Sequence, residues 1–166
     1  MTTRMKFVSV FAVACLGAVV AQPARAQGWQ FGPQLSWAND YNLGVGARAE
    51  LDLTSMVPTA KNITLIGSFD YFFPGFSVNP WEINVDGAYR FSIPNVPIKP
   101  YAGAGLDFTH WGINCGPGCN FTYSKVGLNL LAGTKFQKLG TLTPYAELRL
   151  ELRTGGQFVL TGGVLF

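Results

Sequence analysis

Charged residues are scarce in this sequence of 166 residues, since Asp, Glu, Lys and Arg together make up 13% of it. Ordinary soluble domains carry about 25%. Three of the twelve basic residues, Arg4, Lys6 and Arg25, lie among the first 26 residues, so nine basic and nine acidic residues remain after them. This balance gives no electrostatic attraction for nucleic acid, and we expect no nucleic-acid partner.

The sequence also has no apolar run long enough to cross a bilayer as a helix. The run Phe7–Val20 has 14 residues, whereas a membrane-spanning helix needs about 20. Basic residues precede the run, and Ala24-Arg25-Ala26 follows it as a small-residue cleavage signal. This order predicts a secretory signal peptide over 1–26 and a single domain over 27–166. A transmembrane anchor is the alternative.

Cysteine is rare, and one of the three, Cys15, lies inside the apolar run. The other two, Cys115 and Cys119, flank Gly-Pro-Gly, which favours a tight turn between them. Because export delivers the chain to a compartment where disulfides persist, we predict a Cys115–Cys119 disulfide that orders a loop tip. A redox or metal site is the alternative, but the pair has no supporting ligands.

His110 is the only histidine. A deacylase-type His-x-Ser motif is absent, because Gly112 occupies the position of the serine. Asp107 has the opposite parity to His110, so the two side chains face opposite sides of a regular strand. We therefore predict no catalytic residue, no metal site and no cofactor.

Eight segments alternate between apolar and polar residues, as strands with two different faces do. They are Trp29–Ala38, Asn42–Leu53, Ile63–Phe73, Trp81–Phe91, Ile98–Trp111, Lys125–Phe136, Leu142–Arg153 and 157–166. Each has about ten residues, which matches the 9–11 of a tilted membrane strand. We predict periplasmic turns at 54–62, 92–97 and 137–141, and outer loops at 39–41, 74–80, 112–124 and 154–156.

Alternation alone fits both a soluble barrel with an apolar interior and a membrane barrel with an apolar exterior. Charge decides between them, because it is concentrated within strands on one parity. A narrow interior in which opposite charges satisfy each other explains this better than a soluble surface does. The predicted interior charge network is Arg48, Glu50, Asp52, Asp70, Glu82, Asp86, Arg90, Asp107, Glu147, Arg149, Glu151 and Arg153, and Lys99 and Lys135 share its parity.

Aromatic residues of the apolar parity gather near strand ends, as two girdles at the membrane interfaces would. They are Trp29, Phe31, Trp37, Tyr71, Phe73, Trp81, Tyr89, Phe91, Phe136, Phe158 and Phe166. Five apolar residues depart from the pattern by falling on the charged parity: Ile66, Phe72, Leu131, Val159 and Leu165. These five either plug the interior or mark a bulge that shifts the register, and the register is least secure near 157–166.

The signal peptide, the eight alternating strands and the terminal Gly163-Val-Leu-Phe166 resemble the small bacterial outer-membrane β-barrels, the porin-family and OmpA- and OmpX-like proteins. The resemblance covers essentially all of 27–166. It implies an all-β, eight-stranded, antiparallel, up-and-down transmembrane β-barrel in the bacterial outer membrane. It also implies that Phe166 is a signal read by the barrel-assembly machinery.

We expect a structural or interaction role without enzymatic activity, in a monomer surrounded by outer-membrane lipid. A narrow pore for ions or small solutes is the alternative, and a lipid-modifying enzyme is a third possibility. The alternating charges Glu147, Arg149, Glu151 and Arg153 bear on this choice. They either line a polar conduit or form a charge-paired plug, and we favour the plug because an eight-stranded interior is just wide enough for side chains to fill.

Overall fold

The computed structural model describes residues 28–74, 78–114 and 119–166. The predicted signal peptide 1–26 lies outside these residues, and so does Cys115. Within the described residues, no helix is both long and apolar enough to cross a membrane.

Eight antiparallel strands form a closed barrel in which each strand pairs with the next and β1 pairs with β8. The strands are β1 Trp29–Ala38, β2 Asn42–Asp52, β3 Ile63–Phe72, β4 Val78–Arg90, β5 Lys99–Asn114, β6 Asn120–Lys135, β7 Thr143–Leu152 and β8 Gln157–Leu165. A short 3-10 turn, Leu53–Ser55, follows β2. The predicted eight-stranded up-and-down fold is confirmed.

The barrel has two different ends. At one end lie Trp29, Leu165 and the connections β2–β3, β4–β5 and β6–β7; we call it the termini end. At the other end, the loop end, lie the connections β1–β2, β3–β4, β5–β6 and β7–β8. Closure uses the last strand directly, since β8 pairs with β1 from Gln34↔Gly163 to Ala38↔Val159.

The alternation places apolar side chains outside and polar ones inside. Leu35, Val85 and Leu106 are each more than half exposed on the exterior, whereas Asp70 and Glu82 have no exposed surface. Aromatic side chains contact one another towards the strand ends, as in Trp29–Phe31 at 5.6 Å and Tyr89–Phe91 at 5.2 Å between ring centroids. An apolar exterior of this kind suits lipid rather than water.

The five apolar residues of the charged parity plug the interior without shifting the register. Ile66, Phe72, Leu131, Val159 and Leu165 are all buried. Phe72 and Val159 form a cluster with Ala38 and Tyr41 near the loop end, and Ile66 and Leu131 form another with Ala88 and Tyr101. The strand β8 keeps regular pairing with both neighbours, so its parity is as predicted.

The predicted loop over 112–124 is wrong for most of its length. The strands β5 and β6 continue into it and pair up to Asn114↔Asn120, and β4 begins at Val78, inside the predicted loop 74–80. The residues Phe121, Thr122 and Tyr123 are good strand formers, and they outweigh the turn signals of the adjacent Gly and Pro. The result is a three-stranded sheet that extends past the rest of the loop end.

Candidate functional site

The candidate site is the barrel interior, where side chains from all eight strands meet. The structure buries nine of the twelve residues in the predicted charge network: Arg48, Glu50, Asp70, Glu82, Asp86, Asp107, Glu147, Arg149 and Glu151. The Arg153 side chain is 4% exposed. Asp52 and Arg90 instead pair at the termini-end rim, with 2.5 Å between nitrogen and oxygen. Lys99, which shares the parity, is exposed.

Four side chains near the termini end form what we call the termini-side cluster: Arg48, Glu50, Lys135 and Glu147. Arg48 Nε donates to Glu50 at 2.8 Å and its Nη1 donates to Glu147 at 2.7 Å. The other Glu50 oxygen accepts from Lys135 Nζ. The cluster therefore pairs two cations with two carboxylates. Arg149, which lies outside the cluster, donates from its Nη2 to the second Glu147 oxygen at 2.9 Å. Every carboxylate oxygen of the cluster thus has a hydrogen-bond donor.

Two tyrosines enclose the Arg48 guanidinium. Its carbon lies 4.5 Å from the Tyr145 ring centroid and 5.6 Å from that of Tyr101. The Tyr101 hydroxyl donates to Glu147 at 2.8 Å and accepts from Arg48 Nη2 at 3.2 Å. The Tyr145 hydroxyl donates to Gln34 at 2.7 Å. The planar Arg48 guanidinium is thus held by aromatic rings against its faces and by hydrogen bonds along its edges. Contacts of this kind offset the cost of burying an ion pair.

Four side chains nearer the loop end form the loop-side cluster: Glu82, Asp107, Glu151 and Arg153. The single guanidinium contacts all three carboxylates, at 3.3 Å for Glu82, 3.1 Å for Asp107 and 2.9 Å for Glu151. Each carboxylate keeps one oxygen without a hydrogen-bond partner among the described residues. Here three carboxyl groups share one cation, so their desolvation is only partly offset.

Neutral polar side chains complete the interior between the clusters. Gln34 donates to both oxygens of Asp70 at 2.8 Å, and Ser36 adds a third donor at 2.7 Å. Asn129 donates to Asp86 at 3.1 Å, and Gln157 donates to Glu82 at 2.9 Å. These amides lie outside the predicted charge network, because they carry no charge, although their parity in the sequence places them on the same face.

Inward glycines create the space that these side chains occupy. A Cβ at Gly46, Gly105 or Gly127 would meet the carboxylate of its cross-strand neighbour: respectively Asp70, Asp86 and Asp107. Tyr101 lies in the same way over Gly133, and Tyr145 over Gly163. Glycine at each of these positions therefore makes room for the bulky side chain of its paired partner on the adjacent strand.

An aromatic group closes the loop end above the loop-side cluster. Tyr41, in the β1–β2 turn, contacts Phe72 at 5.5 Å and Trp111 at 6.2 Å between ring centroids. The Arg153 guanidinium lies 5.2 Å from the Trp111 ring centroid. Burial raises the pKa of the Tyr41 phenol above its ordinary value, so this group stays neutral at physiological pH.

His110 lies on the outer face of β5, away from the interior. It stacks on Trp81 at 5.1 Å between ring centroids, and its Nδ1 lies 2.8 Å from the Ser124 hydroxyl. Asp107 is buried on the opposite face, as its parity predicts. Sequence reasoning missed the His110–Ser124 pair because it placed Ser124 in a loop, although a hairpin centred on the predicted Cys115–Cys119 disulfide would have aligned the two residues.

Within residues 28–74, 78–114 and 119–166, no group of three or more His, Cys, Asp or Glu side chains is arranged to hold a metal ion. The carboxylates of the loop-side cluster instead surround Arg153. The interior is therefore a network of ion pairs and hydrogen bonds between side chains.

The barrel is similar to several solved structures of bacterial proteins. The N-terminal β-barrel domain of Pseudomonas aeruginosa OprF superposes with a TM-score of 0.65 at 20% identity, over 84% of this chain and 96% of that one. Neisserial surface protein A gives a TM-score of 0.62 at 17% identity, over 82% and 94%. Ail, the attachment invasion locus protein of Yersinia pestis, gives 0.55 at 19%, over 84% and 97%.

No family model matches the chain, and no curated protein matches its sequence. The likeness is therefore one of fold. The fold is that of the small eight-stranded outer-membrane β-barrels, as the sequence resemblance implied. The predicted outer-membrane location agrees with this fold and with the apolar exterior.

Proposed function

We propose that this protein is an integral outer-membrane barrel with a structural or interaction role and no enzymatic activity, whose interior is a polar core and not an open pore. The observation that carries this proposal is the bond from Arg48 to Glu147. It joins β2 to β7 across the barrel at 2.7 Å, and both side chains have no exposed surface.

Other bonds that cross the barrel support the same reading. Gln157 on β8 reaches Glu82 on β4, and Lys135 on β6 reaches Glu50 on β2. Since these bonds run between strands on opposite walls, an ion could pass only if they broke. Leaving a buried charge without its partner costs about 3–5 kcal/mol, which opposes spontaneous opening.

Single-channel recording of the refolded protein in planar lipid bilayers tests the proposal. We expect no steady openings from the unaltered chain, and we expect the double variant Arg48→Ser/Glu147→Ser to conduct because it empties the centre of the barrel. The lipid-facing change Leu148→Ala is the control and should stay silent.

Steady, ion-dependent openings of the unaltered chain would contradict the proposal and favour the narrow pore. In that case, loss of the openings in Glu147→Gln/Arg149→Gln would locate the pore in the charge network. Glu147 is therefore altered in the tests of both outcomes.

The proposal includes the steps that bring the chain to the membrane. A signal peptide over 1–26 would export it, and a Cys115–Cys119 disulfide would form after export. Phe166 would serve as the assembly signal; its amide donates to Phe31 on β1 at 2.9 Å, so it also belongs to the strand closure. Alkylation followed by mass measurement tests the disulfide, and slower insertion of Phe166→Ala tests the signal.

The partners proposed for the mature chain are outer-membrane lipid and the barrel-assembly machinery. The exposed aliphatic side chains support contact with lipid along the whole circumference. We propose a monomer without a nucleic-acid partner. The molecular mass of the refolded protein in detergent, corrected for bound detergent, tests the monomer.

A further inference from the structure

The extended sheet at the loop end leaves one strand edge open. Pairing between β6 and β7 begins only at Leu128↔Leu152, whereas β6 pairs with β5 from Asn120 onwards. On its other side, β5 stays covered by β4 up to Val78↔Ile113. The eight residues Asn120–Gly127, which we call the β6 edge, therefore have a neighbouring strand on one side only within the described chain.

An open edge presents unpaired backbone groups, because alternate residues of an antiparallel strand direct their N–H and C=O away from the existing partner. Natural proteins usually protect such edges with proline, several charges or a bulge. The β6 edge, Asn-Phe-Thr-Tyr-Ser-Lys-Val-Gly, has no proline and a single charge, Lys125. Its Phe, Thr, Tyr and Val residues favour strand pairing.

The two faces of the β6 edge differ in chemistry. One face carries Phe121 and Tyr123, which are 64% and 54% exposed, and Tyr123 stacks on Trp111 at 5.5 Å between ring centroids. The other face carries Thr122 and Ser124, both exposed. An added strand would thus meet an aromatic surface on one side and hydroxyl groups on the other.

The lower end of the β6 edge is closed by the β7–β8 turn. Lys125 lies over the Tyr123 ring at 5.3 Å and donates to the Thr154 carbonyl oxygen at 2.9 Å. The added strand must therefore end near Lys125, where a carboxylate would find the single cation of this edge. The length of the β6 edge, the side chains on its two faces and the charge of Lys125 together indicate which kind of strand could pair with it.

We propose that the β6 edge binds an extended segment of another protein by β-strand addition, the segment having alternate apolar residues and one acidic residue near Lys125. In this mode, backbone hydrogen bonds supply affinity and alternate side chains supply specificity. The proposal gives the interaction role suggested above a specific surface, and it rests on that role.

Residue-resolved hydrogen exchange tests this on the full mature chain refolded in nanodiscs. The probe is a synthetic ten-residue peptide that alternates valine with threonine and carries one glutamate. We expect the peptide to slow exchange at alternate amides between 120 and 125 by about tenfold, because only the outward-directed amides gain partners. A peptide of the same sequence N-methylated at every residue, so that neither of its edges can pair, is the matched control and should give no protection.

Two substitutions separate backbone pairing from side-chain contact. Lys125→Glu should reverse the preference, so that a peptide with lysine in place of glutamate protects better. Phe121→Ser should weaken protection by the valine-rich peptide while the fold, followed by Trp fluorescence, is retained. Exchange protection of the β8 amides, which pair with β1 and β7, should not change in any of these experiments.

Three results would overturn the proposal: no protection by the peptide, equal protection by the N-methylated peptide, or protection without peptide that increases with protein concentration. The last would assign the β6 edge to a second copy of this chain. None of these results depends on conductance, so a failure here is distinguishable from a failure of the closed-barrel proposal.

Discussion

The termini-side and loop-side clusters are built from the same kinds of residue but differ in how completely their charges are paired. In the first, Arg48 and Lys135 face Glu50 and Glu147, and all four carboxylate oxygens have donors. In the second, Arg153 alone serves three carboxylates. The comparison shows that a buried polar network need not be uniform, and that in the loop-side cluster one guanidinium contacts all three carboxyl groups.

Replacing Arg153 should have the largest effect on stability. Arg153→Met leaves Glu82, Asp107 and Glu151 buried without their shared cation, so we expect the free energy of unfolding to fall by about 3–5 kcal/mol. Arg48→Met should cost less, because Glu50 keeps Lys135 and Glu147 keeps Arg149. Urea unfolding in phospholipid vesicles, followed by Trp fluorescence, measures both values. An equal or larger loss in Arg48→Met would refute the contrast.

Replacing one carboxyl group in each cluster with an amide should have unequal consequences. Glu147→Gln removes the acceptor shared by Arg48 and Arg149 and should lower the free energy of unfolding by about 2–4 kcal/mol. Glu151→Gln leaves Glu82 and Asp107 beside Arg153, and should change the free energy of unfolding by less than about 1 kcal/mol, or stabilise the barrel. The same unfolding measurement applies. A larger loss in Glu151→Gln than in Glu147→Gln would show that the loop-side carboxylates are not in excess.

Adding a methyl group at an inward-facing glycine should displace side chains of the loop-side cluster. A Cβ at Gly127 would meet the Asp107 carboxylate and lie 3.2 Å from Arg153 Cβ, so Gly127→Ala should cost about 1–3 kcal/mol. A Cβ at Gly67 would enter open space, with no atom beyond its chain neighbours within 4 Å. Gly67→Ala is therefore the matched control, with little expected change. Unfolding in vesicles compares the two, and equal losses would contradict the packing argument.

Strand parity was predictable from the sequence because it depends on neighbouring residues only. Every predicted interior charge that is buried follows from that alternation. The pairing partners were not predictable in the same way. Arg48 and Glu147 are 99 positions apart, and whether they meet depends on the stagger between strands that closes the barrel. Parity predicts which face of the sheet a side chain is on, but it does not predict the position of the residue along the barrel axis.

The extent of β5 and β6 was mispredicted for a related reason. Glycine, proline and cysteine at 115–119 indicate a turn, and the sequence alone does not show how far a turn reaches into its flanks. Cross-strand pairs such as Trp111↔Tyr123 extend the hairpin, and they contribute stability only once the register is set. The β6 edge was therefore not predictable from the sequence, since an edge begins where the neighbouring strand ends.

Removing one tyrosine hydroxyl from each half of the interior should give the smallest effects and still separate the two clusters. The Tyr145 hydroxyl donates to Gln34 at 2.7 Å, so Tyr145→Phe leaves a buried amide oxygen without this donor and should cost about 1 kcal/mol. The Tyr41 hydroxyl accepts from Arg153 Nη2 over 3.4 Å, which is long enough for the hydrogen bond to be weak. Tyr41→Phe should therefore be nearly neutral, and a loss equal to that of Tyr145→Phe would mean that Arg153 depends on Tyr41 more than its geometry indicates.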